Sequence, residues 1–244
     1  MKNKEPLSQY GIDEVIAELG ELINILKRLK TGLPIAEFQG DARHVVLSSM
    51  QTTLVPIVFC LRTIEYTANN TDRELLGSPF KKSTQEILYL TDKFLIGSLL
   101  TSFHFQIENF FSNLLRAIKP TSQTRGFERI TSELFLLITI TDIEHKKRTL
   151  KVLSELRNGF HNNGVHNNAD FSETIDGIEF KFYKGKAIER SSTFNTIALL
   201  KYILVIIEEI YSSPEVLVLP TPIIDTLNTQ FGYPSEEEFL SQPL

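Results

Sequence analysis

Apolar side chains recur every three or four residues along most of this chain, which has 244 residues. That spacing places them on one face of a helix. It is clearest in the first segment, between about Ile12 and Lys30. Such helices bury their apolar faces by packing on one another, so we predict a mainly α-helical bundle. The other predicted helices cover about residues 42–68, 84–118, 126–140, 143–161 and 193–211.

Three positions carry signals for helix ends. Asp41 is a favourable N-cap for the second helix. Pro56 lies inside that helix and is expected to kink or break it, because proline has no amide hydrogen to donate. Thr141 or Asp142 is expected to cap the fifth helix.

The pattern changes after the fifth helix. From Thr174 to Phe182 apolar and polar side chains alternate, which is the period of a half-buried strand. Lys184 and Gly185 are typical turn residues, and two apolar residues follow them. The sequence therefore predicts an all-α fold in the main, with a small β-hairpin between about 174 and 188 at the periphery of the bundle.

We divide the chain into three regions. Residues 1–80 are predicted to form an N-terminal helical extension packed on the core. Residues 81–214 are predicted to form the helical core, including the hairpin. Residues 215–244 contain four prolines and an acidic cluster at 236–238, which indicates a C-terminal strap with a frayed tail.

The charge balance limits the way in which this chain could bind nucleic acid. It has 25 basic and 30 acidic residues, for a formal net charge of -5. Broad electrostatic capture of nucleic acid is therefore not expected, although a local basic cleft is compatible with this total. Hydrophobic residues make up 42% of the chain, which indicates a folded globular protein.

The sequence indicates a cytoplasmic protein without membrane association. No apolar run follows the first residues, so no signal peptide is expected. The most apolar stretch, residues 197–210, is too short and too charged to span a bilayer. Cys60 is the single cysteine, which excludes an intramolecular disulfide and fits a reducing compartment. Because its segment is apolar, we expect a buried, inert thiol.

Polar residues crowd the end of the fifth helix, where the chain reads RNGFHNNGVH from Arg157 to His166. Arg157 and His161 are four residues apart, so both project from one face of the last turns. Histidine moves protons near neutral pH, and arginine stabilises charge that develops on phosphate oxygens. The pair suits cleavage of RNA, whose 2′-hydroxyl is an internal nucleophile, so no metal or other cofactor is invoked. The same residues are also compatible with a polar helix end that Gly164 closes.

Four further residues are predicted to support this site. Glu108 lies among apolar residues of the third helix, where a carboxylate is costly unless it is paired. It either orients the arginine and histidine or lies at a solvent-facing edge. His104, one turn earlier, could share the site or be a satisfied core residue. Asn158 and Asn162 offer amide groups for phosphate or base contacts, although asparagine also ends helices.

A basic run precedes the motif on the same helix. Lys146, Lys147 and Arg148 could form a rim that binds RNA, or they could be a solvated helix face. His161 and His166 are the candidates for metal ligation, but no cysteine or aspartate cluster with ligand spacing accompanies them. We therefore expect no metal site, and we expect His166, which lies off the helical face, to matter much less than His161.

The stretch 157–164 resembles the signature of the HEPN superfamily, in which an arginine, usually followed by a polar residue, precedes a histidine on the penultimate core helix. Residues 103–111 resemble an earlier core helix of these proteins, which often carries an acidic residue facing the motif. A short hairpin followed by an apolar helix that ends near residue 214 is also similar to several HEPN-like families. The resemblance covers about residues 83–214.

In this chain three residues separate Arg157 from His161, whereas four to six are usual in the family. The resemblance implies a HEPN-like helical bundle and an endoribonuclease of the toxin or antiviral defence type, with Arg157 and His161 as the catalytic pair. It also implies a homodimer in which two copies form one cleft, and an antitoxin or defence-system protein as partner. Some members are inactive, so a non-catalytic interaction or nucleotide-binding module is the alternative. The short spacing and the acidic charge favour this alternative, whereas the density of polar groups in one helix turn favours the ribonuclease.

Overall fold

The computed structural model describes residues 11–33, 40–69, 84–162, 164–188, 192–219 and 222–225. The fold is mainly α-helical with a small antiparallel sheet of two strands, as the apolar spacing predicts. The helices found in these residues are α1 (Ile12–Gly32), α2 (Ala42–Asn69), α3 (Thr84–Ile118), α4 (Phe127–Phe135), α5 (Ile143–His161), α6 (Thr193–Ser212) and α7 (Pro214–Leu217), and the strands are β1 (Phe171–Ile175) and β2 (Ile178–Phe182).

One continuous core of buried apolar side chains includes residues from α1 to the segment after α7. The longest helix, α3, contacts α2, α4, α5 and α6, while α1 packs on α2 and α6. Phe111 of α3 stacks on Phe127 with 6.1 Å between ring centroids, and Phe110 meets Tyr211 edge-on at 5.5 Å. These aromatic contacts position α4 and α6 relative to α3.

Helix α2 begins after Asp41, whose carboxylate accepts a hydrogen bond of 2.9 Å from the Arg43 amide, as an N-cap does. The same carboxylate pairs with the buried Arg43 guanidinium at 2.9 and 2.7 Å. Pro56 was predicted to kink or break this helix, and the break was wrong, because the helix continues through this residue. Pro56 lies on the exposed side of α2, where water can bind the carbonyl that the missing amide leaves unpaired.

Helix α2 also differs from expectation in its relation to solvent. Within Ala42–Tyr66 the most apolar window has a mean hydropathy of 1.6, so by length and composition this helix could cross a membrane, a segment that the sequence-based prediction did not include. Of its most apolar window, 39% is buried, since α2 packs on α1 and α3. Cys60 is exposed, together with Val55 and Phe59, so the predicted burial of its thiol was also wrong.

Two helix ends around residue 140 depart from their predictions. Helix α4 ends at Phe135, about one turn earlier than predicted. Residues 138–141 read ITIT, and β-branched side chains are poor helix formers. The Thr139 amide and hydroxyl instead donate to the Glu215 carboxylate at 2.8 and 2.7 Å. Asp142 precedes α5 with a left-handed φ of 44° and does not cap the helix with its side chain.

The β-hairpin has a different turn from the predicted one. Asp176 and Gly177 connect the strands with φ values of 49° and 74°, and Asp-Gly in this conformation forms a typical two-residue hairpin turn. A two-residue turn preserves the alternation of apolar and polar side chains. For this reason residues 174–182 were predicted to be a single strand. Lys184 and Gly185 follow β2 and lead the chain back to the end of α5.

The predicted C-terminal strap attaches to the start of α2. The Ile223 amide donates to the Asp41 carboxylate at 3.0 Å, and the Ile223 carbonyl accepts from the Ala42 amide at 2.8 Å. This pairing joins the chain after α7 to the buried ion pair of α2. Residues 226–244, with the acidic cluster at 236–238, lie outside the described residues.

Candidate functional site

Backbone contacts at the end of α5 explain part of the polar motif. The Asn162 amide donates to the Asn158 carbonyl at 3.0 Å, and the Gly164 amide donates to the Gly159 carbonyl at 2.7 Å. The second bond reaches back five residues, as at Schellman-type helix ends, and the φ of 84° at Gly164 favours glycine. Asn162, predicted as a supporting site residue, is the exposed C-cap of α5.

Gly159 allows a close approach of the chain that follows β2. A Cβ atom at this position would lie 2.0 Å from the Cδ1 atom of Ile188. The Ile188 amide also donates to the Gly164 carbonyl at 2.8 Å. The segment after the hairpin therefore holds the end of α5 in place and sets the position of the motif.

An open cleft of about 430 Å³ lies between α3, α4 and α5. Ser154 of α5 and residues 125–129 at the start of α4 contribute to its lining. His161 is exposed on the last turn of α5 and is not among the lining residues. The cleft brings together four of the predicted site residues, two on α3 and two on α5: His104, Glu108, Arg157 and Asn158.

Arg157 is only partly satisfied by the residues around it. Its Nη1 donates to the Asn158 Oδ1 at 3.1 Å. Its Nε is shielded from solvent and has no hydrogen-bond partner within the described part of the chain. Because a guanidinium offers five donors in a planar fork, the cleft presents unused donors that match the oxygens of a phosphate or carboxylate.

His104 is buried at the base of the cleft and is 5% exposed. Its Nε2 lies 2.9 Å from the Ser154 Oγ, and its Nδ1 lies 3.8 Å from the Glu108 Oε2. Burial lowers the pKa of His104 to about 4, and the positive charges of Arg157 and His161 contribute to this shift. His104 is therefore neutral at pH 7, and His161 lies close enough for its charge to reach the cleft.

The order serine, histidine, carboxylate is found in sites with an activated nucleophile. At Ser154 this chemistry is disfavoured, because a general base works best when its pKa is near the operating pH. With a pKa of about 4, His104 is a weak base at pH 7. Ser154 and His104 therefore form a hydrogen-bonded wall of the cleft, with the Glu108 carboxylate beside them.

Two arginines at the start of α4 were missed in the sequence analysis. Arg125 and Arg129 line the cleft, both are exposed, and neither forms an ion pair among the described residues. They flank Gly126, which adopts a φ of 85° before the first turn of α4. The sequence does show two arginines four residues apart at the start of a helix. The residues around them do not indicate which other helix they would lie against.

The predicted basic rim is not a continuous surface. Lys146 is buried, and its Nζ contacts the Glu209 carboxylate at 2.6 Å and the Thr141 hydroxyl at 2.9 Å. It therefore holds α5 to α6. Lys146 was predicted to contact RNA, and this prediction was wrong because the side chain is buried. Arg148 binds the Glu173 carboxylate and thus attaches the hairpin to α5. Among the described residues, the ion-pair partner of Lys147 is the exposed Glu144, at 3.1 Å.

His166 belongs to a buried network on the other side of α5. Its Nδ1 lies 3.3 Å from the Glu155 Oε2, and its Nε2 lies 2.9 Å from the Ala169 carbonyl. The Asn168 amide donates to both oxygens of Glu155 at 3.0 Å. Within the ranges that the structure describes, no group of three or more His, Cys, Asp or Glu side chains could hold a metal ion.

Comparisons with models of protein families, with curated proteins and with solved structures find no significant match for this chain. The motif and the cleft are therefore the observations on which a function can be argued.

Proposed function

We propose that this chain is a metal-independent endoribonuclease of the HEPN type, with its site in the cleft between α3, α4 and α5. The observation that supports this most is the guanidinium of Arg157. It lines an open cleft, and its shielded Nε has no hydrogen-bond partner in the part of the chain that the structure describes. Because buried donors are normally paired, a ligand with acceptor oxygens and negative charge would complete this site.

The proposed reaction is attack of the ribose 2′-hydroxyl on the adjacent phosphodiester. The 2′-oxygen bonds to phosphorus while the bond from phosphorus to the 5′-oxygen breaks, which gives a 2′,3′-cyclic phosphate and a 5′-hydroxyl. Arg157 stabilises the charge on the phosphorane-like transition state. His161, exposed beside the cleft, removes the 2′-proton or protonates the leaving oxygen. Asn158 positions Arg157 through its 3.1 Å hydrogen bond.

A homodimer would supply two histidines, one as base and one as acid. Leu90, Phe94 and Phe105 are exposed on the side of α3 that also carries Glu108. Their helical spacing places them in one stripe that leads to the cleft, and exposed apolar patches of this kind are typical of interfaces. A second copy seated on this stripe would lie over the cleft. Light scattering should give twice 27.8 kDa, and a stable monomer at micromolar concentration would contradict this proposal.

The proposed activity is tested by incubating the purified protein with mixed RNA in EDTA and separating the products on a gel. Arg157→Ala and His161→Ala should each lower the cleavage rate by about 10² to 10⁴, because each removes charge stabilisation or proton transfer. Arg28→Ala, at an exposed position of α1, is the matched control and should cut at the wild-type rate. Denaturant unfolding should show that all variants remain folded.

The alternative is a non-catalytic module that binds RNA or a nucleotide in the same cleft. Wild-type protein that binds RNA but leaves diverse RNAs intact would support this alternative. Cleavage that survives in both Arg157→Ala and His161→Ala would show that the active site lies elsewhere. As a cytoplasmic toxin or defence effector, the protein would also need an antitoxin or defence-system partner to restrain or direct it.

A further inference from the structure

A second, smaller pocket of about 120 Å³ lies between α4 and α5, next to the cleft. The two share Phe127 and Glu128 at the start of α4. The remaining lining residues of the smaller pocket come from both helices: Thr131, Ser132, Lys147, Arg148, Leu150 and Lys151. The first turn of α4 therefore separates two adjoining cavities along the same side of α5.

The side-chain hydroxyl of Thr131 is buried in this pocket and lacks a hydrogen-bond partner among the described residues. Thr131 is 3% exposed, and its Oγ1 has no hydrogen bond to any described residue. Leaving a buried polar group unpaired costs about 1–3 kcal/mol. Such groups are rare in folded proteins and call for a ligand or water. A hydroxyl donor beside lysines fits an oxygen of a phosphate group.

The cations of the pocket differ in how firmly they are held. Arg148 is bound by Glu173 and lies over the Phe171 ring. Lys151 has no carboxylate partner among the ion pairs of the described residues and rests 4.8 Å from the centroid of the same ring. The partner of Lys147 is Glu144, which is 82% exposed, and an exposed pair of this kind is weak. Lys147 and Lys151 are thus available to an incoming anion. Among the described residues, Glu128 is the one carboxylate that lines the pocket.

The lysines continue a line of polar residues that ends in the cleft. Lys147, Lys151, Ser154 and Asn158 are spaced by four, three and four residues on α5, so they lie along one side of the helix. With a rise of 1.5 Å per residue, Lys147 and Asn158 are separated by roughly 16 Å. This length exceeds one phosphate group, so a single small anion cannot contact both ends.

We propose that single-stranded RNA binds along this side of α5, with one backbone phosphate in the Thr131–Lys147–Lys151 pocket and another at Arg157, Arg125 and Arg129 in the cleft. The proposal rests on the proposed function in that the bound RNA is the substrate to be cleaved. Binding along this path can nevertheless be tested separately from cleavage. Single-strand binding sites combine a positively charged groove that follows the backbone with a strong dependence on salt. A flexible strand can bend around the first turn of α4 to reach both cavities.

The test is fluorescence anisotropy of the full chain with a labelled RNA 12-mer over a range of salt concentrations. Lys147→Gln/Lys151→Gln should weaken binding roughly 5-fold at 0.1 M salt and reduce the log–log salt slope by about 0.7, because the contact with one backbone phosphate is lost and each such contact contributes about 0.7. Thr131→Val, which keeps the side-chain shape, should weaken binding several-fold without changing the slope. Lys27→Gln/Arg28→Gln, with the same loss of charge on α1, should bind like wild type.

Three outcomes would overturn the proposed path. These are a wild-type chain that does not bind the 12-mer, a Lys147→Gln/Lys151→Gln variant within twofold of wild type, and inorganic phosphate or a dinucleotide binding as tightly as the 12-mer. If wild type cuts RNA and the lysine variant binds RNA normally, the proposed binding path is wrong but the proposed ribonuclease activity is supported. If the lysine variant loses RNA binding but wild type cuts no RNA, the proposed binding path is supported and the proposed ribonuclease activity is wrong.

Discussion

Helix α5 carries polar residues on two sides, and the two sides differ in how completely those residues are paired. On one side, Glu155 is 2% exposed, accepts two hydrogen bonds from Asn168 and contacts His166. On the other side, Arg157 faces an open cleft with a shielded Nε that lacks a partner among the described residues. Fully paired buried networks stabilise a fold, whereas under-paired groups in a cleft indicate a binding site.

The comparison is sharpest for the two motif histidines. His166 is buried between Glu155 and a backbone carbonyl, and the segment it holds connects α5 to the hairpin. His161 is exposed beside the cleft. A substitution of His166 should therefore act on stability, and a substitution of His161 should act on any reaction.

The largest stability effect is expected on the fully paired side. Glu155→Ala should lower the free energy of unfolding by about 3–5 kcal/mol, because it leaves the buried His166 ring without its carboxylate partner and removes the acceptor of the Asn168 amide. The measurement is urea unfolding followed by circular dichroism. Glu179→Ala on β2, whose exposed pair with Lys181 is weak, is the control and should change little. A loss under about 1 kcal/mol for Glu155→Ala would show that the network does not support the fold.

A smaller, pH-dependent effect is expected at His104. Its pKa is about 4 in the folded chain and about 6.5 when unfolded, so between these values only the unfolded state binds the proton. Stability should therefore fall as the pH drops from about 6.5 to 4, by up to about 3 kcal/mol for this group. His104→Asn should lose less stability over that interval than wild type. Parallel unfolding curves at pH 7, 5.5 and 4 would check this, and identical pH dependences would refute it.

The smallest stability effect is expected for the cleft arginines. Arg125→Gln/Arg129→Gln should shift the melting temperature by less than about 2 °C, because both side chains are exposed and lack ion pairs in the described ranges. The same variant should weaken RNA binding clearly. Differential scanning fluorimetry and anisotropy on one preparation would show both effects. A large loss of stability would mean that these arginines stabilise the fold, as Glu155 is expected to do.

Much of the fold could be predicted from spacing alone. The bounds of α1, α3, α5 and α6 follow from apolar residues every three or four positions, since this period depends only on neighbours along the chain. The errors arose where the local signal is ambiguous. The ITIT run at 138–141 has apolar residues but a poor helix propensity, and the Asp176–Gly177 turn preserves the alternation of the flanking strands.

The sequence by itself determined that Arg157, Asn158 and His161 lie together at a helix end, and that Glu108 and His104 are one turn apart. Tertiary structure decided which of these residues share a cleft and which other groups join them. Arg125 and Arg129 reach the site because the stacking of Phe111 on Phe127 brings the start of α4 against α3, beside the cleft that α5 also lines. Lys146 turns inward because α6 presents Glu209 to it. Helical periodicity fixes the face of one helix, but the partner of that face depends on contacts between residues far apart in the chain, which no local spacing records.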